Sequence, residues 1–435
     1  MATARAGVAS SSASSTACGT RVPVRLCHQA PAHQSTMRAA PIAAANATQK
    51  NVAAASAFRS SAPAPCCTRR TTRGVAAAGA AGSAPAMPTT LTTWLLAEDR
   101  AGRIDLDMYA LLTSVATACK TISALVKAAP LANNLGVAGD TNASGDEQKK
   151  LDVIANDVFC RAVASCGRAS ITVTEEEETP IAVESVAGNY ICCFDPIDGS
   201  SNLDACISTG SIFGIYSQGE CVIDPADDAD AIATKCITNV RKAGTDLVAA
   251  GYCMYSSSTV LVLTLGHGVY GFTLDTQSGE FWLSHDNIKI PDPGSRQYSG
   301  NLGNVALWAP ELREYVTELS APSAPGAKPY AYRYIGALCP DFHRVLLYGG
   351  IWLYPPDIKA PQGKARLLYE VAPMSYIAEQ AGGLACVGPL ADQRVLEVVP
   401  EKVHQKSPLF VGSASEVRKL QAFLKAKQAA AASKA

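Results

Sequence analysis

Acidic residues are missing from the start of this 435-residue chain: the first is Glu98, although the whole holds 38 Asp and Glu against 37 Lys and Arg. Nine of the basic residues lie before Pro88, in a stretch rich in Ala, Ser, Thr and Pro. Basic, hydroxylated and free of carboxylates, residues 1–88 read as a transit peptide and disordered leader that contributes no fold. The remainder carries 28 basic residues against 38 acidic ones, which argues against a nucleic-acid partner. No apolar run approaches the ~20 residues of a membrane span, so no membrane partner is expected; the best run, 259–265, is strand-sized. Fifteen cysteines are present, yet none forms a CxxC pair or a paired Cys/His spacing, which excludes the usual structural zinc site. Most of those beyond the leader, Cys192 and Cys193 among them, sit in apolar runs as small buried hydrophobes. There is no internal repeat.

What is present shows helical periodicity first. Residues 105–127 place Tyr109, Leu112, Cys119, Ile122 and Val126 at helical spacing, and 147–166 do the same with Leu151, Ile154, Ala155, Val158, Phe159 and Ala162. Strand-like runs follow at 170–174, 190–194, 211–216, 247–255, 259–265, 269–274 and 279–284. Further helices are expected near 310–319, 341–347 and 374–381, the last closed by Gly382-Gly383. The mixture predicts an α/β sandwich around one continuous core. Residues 89–300 are assigned to an N-terminal half, 301–425 to a C-terminal half, and 426–435 to a frayed tail.

The run 190–194 stops at Asp195, and Asp198 follows with Gly199-Ser200-Ser201 directly behind it. Four glutamates, 175–178, follow the run 170–174, so two adjacent strands would deliver both acid clusters to one edge. Carboxylates gathered this way repel and take up protons unless hard cations hold them charged. Oxygen-only ligands suit Mg²⁺ or Mn²⁺ rather than zinc. Gly199 permits close backbone approach, and the amides and hydroxyls at Gly199, Ser200 and Ser201 can form an anion nest. An acidic run alone is usually a solvated face and an Asp-Gly-Ser alone a turn. Together they point to phosphoryl chemistry by a multi-metal route.

DPIDGSS (195–201) resembles the metal-binding signature of the fructose-1,6-bisphosphatase and inositol monophosphatase superfamily. GDEQKKLD (145–152), GSIFGIYS (210–217), AYRYIG (331–336) and ARLLYE (365–370) narrow the resemblance to the fructose-1,6-bisphosphatases, and to their chloroplast form, from about Leu91 onward. The resemblance implies a layered αβαβα sandwich of the sugar-phosphatase type. It implies Mg²⁺-dependent hydrolysis of the 1-phosphate of fructose 1,6-bisphosphate, in photosynthetic carbon fixation and starch synthesis, with about two to three ions per subunit. The ions would be held by Glu175, Glu176, Asp195, Asp198, the carbonyl of Ile197, and Glu370. Asp152 with Glu176 would activate the attacking water, and Asp146 would order a mobile loop over the metals. Substrate contacts would come from Asp198, Gly199, Ser200, Ser201, Asn301, Tyr334, Tyr354, Lys364 and Arg366. Arg333 would reach the 6-phosphate of a neighbouring subunit, which requires a homo-oligomer, a tetramer. Lys364 and Arg366 also alternate along one face of an extended run, a spacing suited to phosphate and sugar oxygens.

The same resemblance carries regulation. Cys221 and Cys236 flank 222–235, where Asp224, Asp227, Asp228 and Asp230 mark a solvated loop inside a redox segment, 218–245. Chloroplast relatives are activated when thioredoxin reduces such a loop; their third cysteine is Arg241 here, leaving one pairing. A disulfide there would restrain a loop of about 15 residues by roughly 3 kcal/mol. Thioredoxin as partner and the chloroplast stroma as location follow from this likeness. Relatives inhibited by AMP use a Gly-Thr-Gly-Glu-Leu-Thr turn with distant cations. This chain has Gly102-Arg103-Ile104-Asp105-Leu106-Asp107, with Asn189-Tyr190 and Ser217 at the cationic places, so AMP should not inhibit. Three departures touch the site: Asn301-Leu302-Gly303 stands where relatives have Asn-Glu-Gly, Val305 follows Asn304 where they have a tyrosine, and Thr174 replaces a serine. A sedoheptulose-1,7-bisphosphatase would share the metal centre, an inositol monophosphatase would not need Arg333 and Lys364, and a non-catalytic sugar-phosphate sensor would not need every acid.

Overall fold

The computed structural model describes residues 88–141, 147–183, 188–218, 229–322 and 326–433. The leader up to residue 87, Asp146 and Cys221 lie outside them. Helices α1 (Leu91–Arg100) and α2 (Leu106–Ala128) open the fold. Asp105 caps α2, its carboxylate accepting the Met108 N–H at 2.7 Å. Among the described helices α2 is the one long and apolar enough to cross a membrane by length and composition. Asp107, Lys120 and Lys127 interrupt its apolar run. Its Leu111, Val115, Cys119 and Ile122 are fully buried in the protein core, as suits a core helix.

A hairpin of β1 (Val137–Thr141) and β2 (Glu147–Lys149) leads into α3 (Lys150–Cys166), so the expected helix starts three residues late. Then come β3 (Ala169–Thr174), β4 (Ile181–Ala182), β5 (Tyr190–Asp198), β6 (Thr209–Ser217), α4 (Ala229–Val240), β7 (Leu247–Tyr255), β8 (Thr259–Thr264), β9 (Tyr270–Asp275) and β10 (Glu280–His285). They form an eight-stranded sheet in the order β10-β9-β8-β7-β6-β5-β3-β4. Only β3 and β5 pair in parallel within it, with α4 packing beside β3 and β4.

The rest of the chain builds a second sheet. Its elements are β11 (Gln297–Ser299), α5 (Pro310–Ser320), β12 (Ala331–Tyr332), α6 (Leu338–Tyr348), β13 (Ile351–Tyr354), β14 (Ala365–Arg366), α7 (Ala372–Gln380), β15 (Leu384–Val387), β16 (Gln393–Arg394), β17 (Lys406–Ser407), β18 (Leu409–Gly412) and α8 (Ala414–Ala432). Six of the strands run β12-β11-β13-β18-β15-β16.

Period-two alternation sorts the side chains into layers. Phe194 and Phe213 of the large sheet pack with Leu111 of α2 and Phe159 of α3, the Phe159 ring 4.4 Å from Phe194. Neighbouring Ile212, with Tyr252 and Val262, faces the other way, onto Phe342 of α6 and Met374 of α7, and these meet Trp352 and Val411 of the second sheet. Ile351, Leu353 and Phe410 cover that sheet's far face with Leu312 of α5 and Leu420 of α8. The result is five layers, helix on sheet on helix on sheet on helix, the sandwich expected.

Two expectations change. The acid-rich segment read as a solvated loop is helical from Ala229, and Cys236 on α4 is 1% exposed, packed with Ile171, Tyr216 and Val240. Residues 426–432, read as a frayed tail, continue α8: alanine is the best helix former, and Lys427 pairs with Glu314 and lies over the Phe423 ring.

Candidate active site

Strand β5 does not stop at Phe194 but ends at Asp198. It takes in both Asp195 and Asp198, and they are 1% and 6% exposed rather than at a solvent-accessible edge. Asp195 lies opposite Ile212 and Asp198 opposite Gly210, so three steps on β5 match two on β6. This is a β-bulge. Pro196, which has no N–H to donate, sits in it, and its carbonyl accepts the Ser211 hydroxyl at 2.6 Å. Residues three apart on a regular strand face opposite sides; the inserted residue turns both carboxylates the same way.

The parallel neighbour β3 supplies the second cluster. Thr174 pairs with Phe194, and the Glu175 N–H extends the ladder to the Phe194 carbonyl at 3.3 Å. The Thr174 hydroxyl donates to Asn156 Oδ1 at 2.7 Å, so the residue that replaces serine ties the β3 end to α3. Glu370 arrives from a π-helical turn, Leu367–Val371, between β14 and α7. Carboxylate oxygens of Glu175, Asp195 and Glu370 lie within 4.8 Å of one another. Burial, then Glu175, Glu370 and Asp198, push the Asp195 carboxyl far above the usual range; burial and Glu175 do the same to Glu370. Arg366 offsets part of this, its guanidinium 3.4 Å from Glu175. Oxygen-only and mutually repelling, with Asp195 and Glu370 buried and Glu175 half-buried, the three carboxylates fit hard divalent cations.

Three further acids stand around them. Glu176 accepts the Gln148 side-chain amide, and burial followed by Asp152, Glu175 and Glu177 pushes it up to about 8. Asp152, in the first turn of α3, accepts the Lys149 N–H at 2.8 Å, while its buried Oδ1 has no protein partner among the described residues. Burial raises it to about 6. The Asp198 oxygens are taken by the first amides of α6, Leu338 at 3.0 Å and Cys339 at 2.7 Å; burial outweighs these donors and lifts it to about 6. The Ile197 N–H donates to Asp195 at 2.9 Å.

A cavity of about 170 Å³ opens beside this centre. It brings together Asp198, Gly199, Tyr334, Tyr354, Lys364 and Glu370. Gly199 has φ 76°, and a Cβ there would lie 2.3 Å from that of Ala337, so the turn and the start of α6 touch through glycine alone. A 3₁₀ turn starts behind it at Ser200 and includes Ser201. Five expected substrate residues do not line the cavity: Ser200 and Ser201, in the turn behind Gly199, and three others. Arg366 is buried and faces Glu175 and the Lys364 carbonyl, because β14 turns it toward the acids; it does not share a substrate face with Lys364. Asn301 accepts the Gly303 N–H at 3.1 Å, capping its own turn. Arg333 is exposed, bonds the Tyr332 carbonyl, and borders a separate small cavity.

Asp341, Trp352, Ala337 and Leu338 also line the cavity and were not foreseen. For Asp341 a signal existed. It shares the apolar stripe of α6 with Leu338, Phe342 and Val345, where an acid is out of place.

A layered αβαβα sandwich with carboxylates converging on a polar cavity is the architecture of an α/β sugar phosphatase, a phosphoric monoester hydrolase. The families described as "Fructose-1-6-bisphosphatase, N-terminal domain" and "Fructose-1-6-bisphosphatase, C-terminal domain" match residues 89–286 and 290–425. "Fructose-1,6-bisphosphatase, chloroplastic" of Oryza sativa subsp. indica is 53% identical over 340 residues, 77% of this chain and 82% of that one. "Fructose-1,6-bisphosphatase 1, chloroplastic" of Arabidopsis thaliana is 52% identical over 340 residues, 77% and 80% of the two chains. The holo crystal structure of Leishmania major fructose-1,6-bisphosphatase superposes with a TM-score of 0.71 at 41% identity, covering 78% of this chain and 99% of that one. The chain belongs to the fructose-1,6-bisphosphatase family.

Proposed function

We propose that the protein releases the 1-phosphate of fructose 1,6-bisphosphate with Mg²⁺, or Mn²⁺, as cation, in the chloroplast stroma, for carbon fixation and starch synthesis. One observation carries the chemistry. Glu370 belongs both to the three-carboxylate cluster and to the wall of the cavity that holds Lys364, Tyr334 and Tyr354. Held by Glu175, Asp195 and Glu370, with Glu176, Asp198 and the Ile197 carbonyl beside them, divalent cations would neutralise phosphoryl oxygens and acidify a water.

The chain's own groups then have distinct tasks. Asp152, its Oδ1 unpaired, accepts the proton of the attacking water together with Glu176. The Ser200 and Ser201 amides face the 1-phosphate from the 3₁₀ turn, placed by Gly199. Lys364 grips phosphate at the exposed side of the cavity, and Tyr334 and Tyr354 wall the sugar. For Asp146, which lies outside the described residues, the ordering of a loop over the metals rests on the family likeness alone. Asn301 and Arg333 act at the 6-phosphate, Arg333 across a subunit boundary in a tetramer.

The test is phosphate release from fructose 1,6-bisphosphate with and without Mg²⁺, run beside sedoheptulose 1,7-bisphosphate. Rapid Mg²⁺-dependent release from the fructose ester supports the reading. A preference for the sedoheptulose ester, or binding without turnover, replaces it.

Regulation is proposed through Cys221 and Cys236 and a thioredoxin-type dithiol, which would be oxidised to its disulfide as the chain's pair is reduced. Support comes from the likeness to chloroplast relatives. The burial of Cys236 against Ile171 and Val173 of β3 adds a route, since that strand leads to Glu175. A Cys221→Ser variant should be active without reductant at low Mg²⁺, where the oxidised wild type is slow. Equal rates for oxidised and reduced wild type across Mg²⁺ concentrations would refute the switch.

A further inference from the structure

The cavity wall around residues 334–338 is the turn before α6 and that helix's first amides; Asp198 takes the amides of Leu338 and Cys339, and a second buried carboxylate holds the turn before them. Asp341, 1% exposed, accepts at Oδ1 from the Ser299 hydroxyl at 2.8 Å and the Ile335 N–H at 2.9 Å. Its Oδ2 accepts from the Gly336 N–H at 2.9 Å. Ser299 ends β11 just before Gly300 and Asn301, and the Gly300 carbonyl takes the Tyr332 hydroxyl at 2.7 Å. Ile335 and Gly336 directly follow Arg333 and Tyr334. From the opposite side the Asn202 amide reaches the Ile335 carbonyl at 3.4 Å. Asp341 also borders both the main cavity and the small one beside Arg333.

We propose that Asp341 is a positioning residue for the sugar and 6-phosphate end of the site: its carboxylate fixes together the segments carrying Asn301, Arg333 and Tyr334. This rests on the substrate reading given above. A carboxylate suits the task because it only accepts, and three donors from two separate segments converge on it. Asparagine has the same shape but one acceptor oxygen. Its NH₂ would face either the Gly336 N–H or the two donors at Oδ1, leaving buried donors opposed, and the turn would shift to relieve them. The loss falls on binding if the displaced segments hold the substrate equally in its ground and transition states, which raises KM and leaves kcat.

The test compares Asp341→Asn and Ser299→Ala with wild type, after circular dichroism and thermal melting have shown each to be folded. Asp341→Asn should raise KM for fructose 1,6-bisphosphate about tenfold with kcat changed less than about threefold. Calorimetric Kd for fructose 6-phosphate should weaken by a similar factor, about tenfold, while the Mg²⁺ concentration for half-maximal activity stays put. Ser299→Ala, which removes one donor of three, should shift KM and Kd about two- to threefold in the same direction. A folded Asp341→Asn with KM and Kd near wild type, or with its loss confined to kcat, overturns the assignment. If Asp341→Asn does not fold, Ser299→Ala decides alone, and unchanged KM and Kd reject the assignment. A wild type that neither hydrolyses fructose 1,6-bisphosphate nor binds fructose 6-phosphate overturns the functional reading and this assignment together; a competent wild type beside an unshifted variant overturns the assignment only.

Discussion

Two groups of carboxylates sit near opposite ends of β5, and they are wired in opposite ways. At the N-terminus of α2, Asp105 accepts the Met108 N–H and the Tyr190 hydroxyl, the latter at 2.9 and 3.0 Å to its two oxygens. Asp107 accepts the Asn189 amide at 2.9 Å and lies 3.1 Å from Arg168. Every acid there has donors from its own chain. At the other end Glu175, Asp195 and Glu370 chiefly face one another, with Arg366 as counter-charge. The first group is complete as folded and stabilises a helix start. The second sets three carboxylates against one another, an arrangement that a hard cation would hold in the charged form.

The largest test of this contrast is Asp198→Asn. The substitution keeps an oxygen for one of the two α6 amides but removes the charge beside the cluster. Activity should fall by about 100-fold or more at ordinary Mg²⁺, with the far-ultraviolet dichroism of the wild type. Near-normal turnover would place the reacting centre elsewhere.

Protons give the next test. Glu176 is pushed up to about 8 and Asp152 to about 6, each chiefly by burial. Both lie above the ~4 of an unfolded carboxylate, so cation-free protein has this contribution to stability in full below that pH. It loses the contribution as pH rises through 6 and then 8. Cations reverse the trend by expelling the protons. Adding Mg²⁺ at pH 7 should therefore release about one proton or more per chain, from Glu176 and from the raised Asp195 and Glu370, in weakly buffered calorimetry or dye titration. Tm of the cation-free protein should fall between pH 6 and 8 while that of the loaded protein holds. Silence in the proton titration would mean that the cluster is already charged and compensated, like the acids at α2.

How far all this could be read from the chain differs between the two sheets. The large sheet's strands are six to nine residues long apart from β4, and apolar enough that β5, β6 and β7 were evident with their neighbouring turns. The second sheet was not read at all. Its strands are two to four residues, too short for alternation to declare itself, and β13 and β18 are apolar throughout. In the site, Asp195 and Asp198 stood out as acids behind an apolar run, but a three-residue spacing predicts opposite faces, and only the pairing with β6 reveals the bulge. Glu370 enters through resemblance alone, because a π-helical turn has no periodicity to announce it. Arg366 misled for the same reason: alternation assigned it the face of Lys364, whereas the chain leaves the strand at once into that turn. The helix α4 was hidden by its neighbouring aspartates, which read as a loop.

The smallest expected effect is the most discriminating for the α2 end. A nucleotide phosphate would find a helix start whose donors are already used, with two carboxylates in front of it. The cation nearest them, Arg168, is already paired with Asp107. AMP should therefore leave the rate unchanged at micromolar concentrations, because repulsion and the loss of existing hydrogen bonds both oppose its entry. Asp105→Ala sharpens the point. It removes the cap and should lower stability by about 1 kcal/mol in urea unfolding, yet leave kcat and KM alone, since no acid of the reacting cluster is touched. Potent inhibition of wild type by AMP would show that the self-paired acids yield to a ligand, and the contrast between the two ends of β5 would fail.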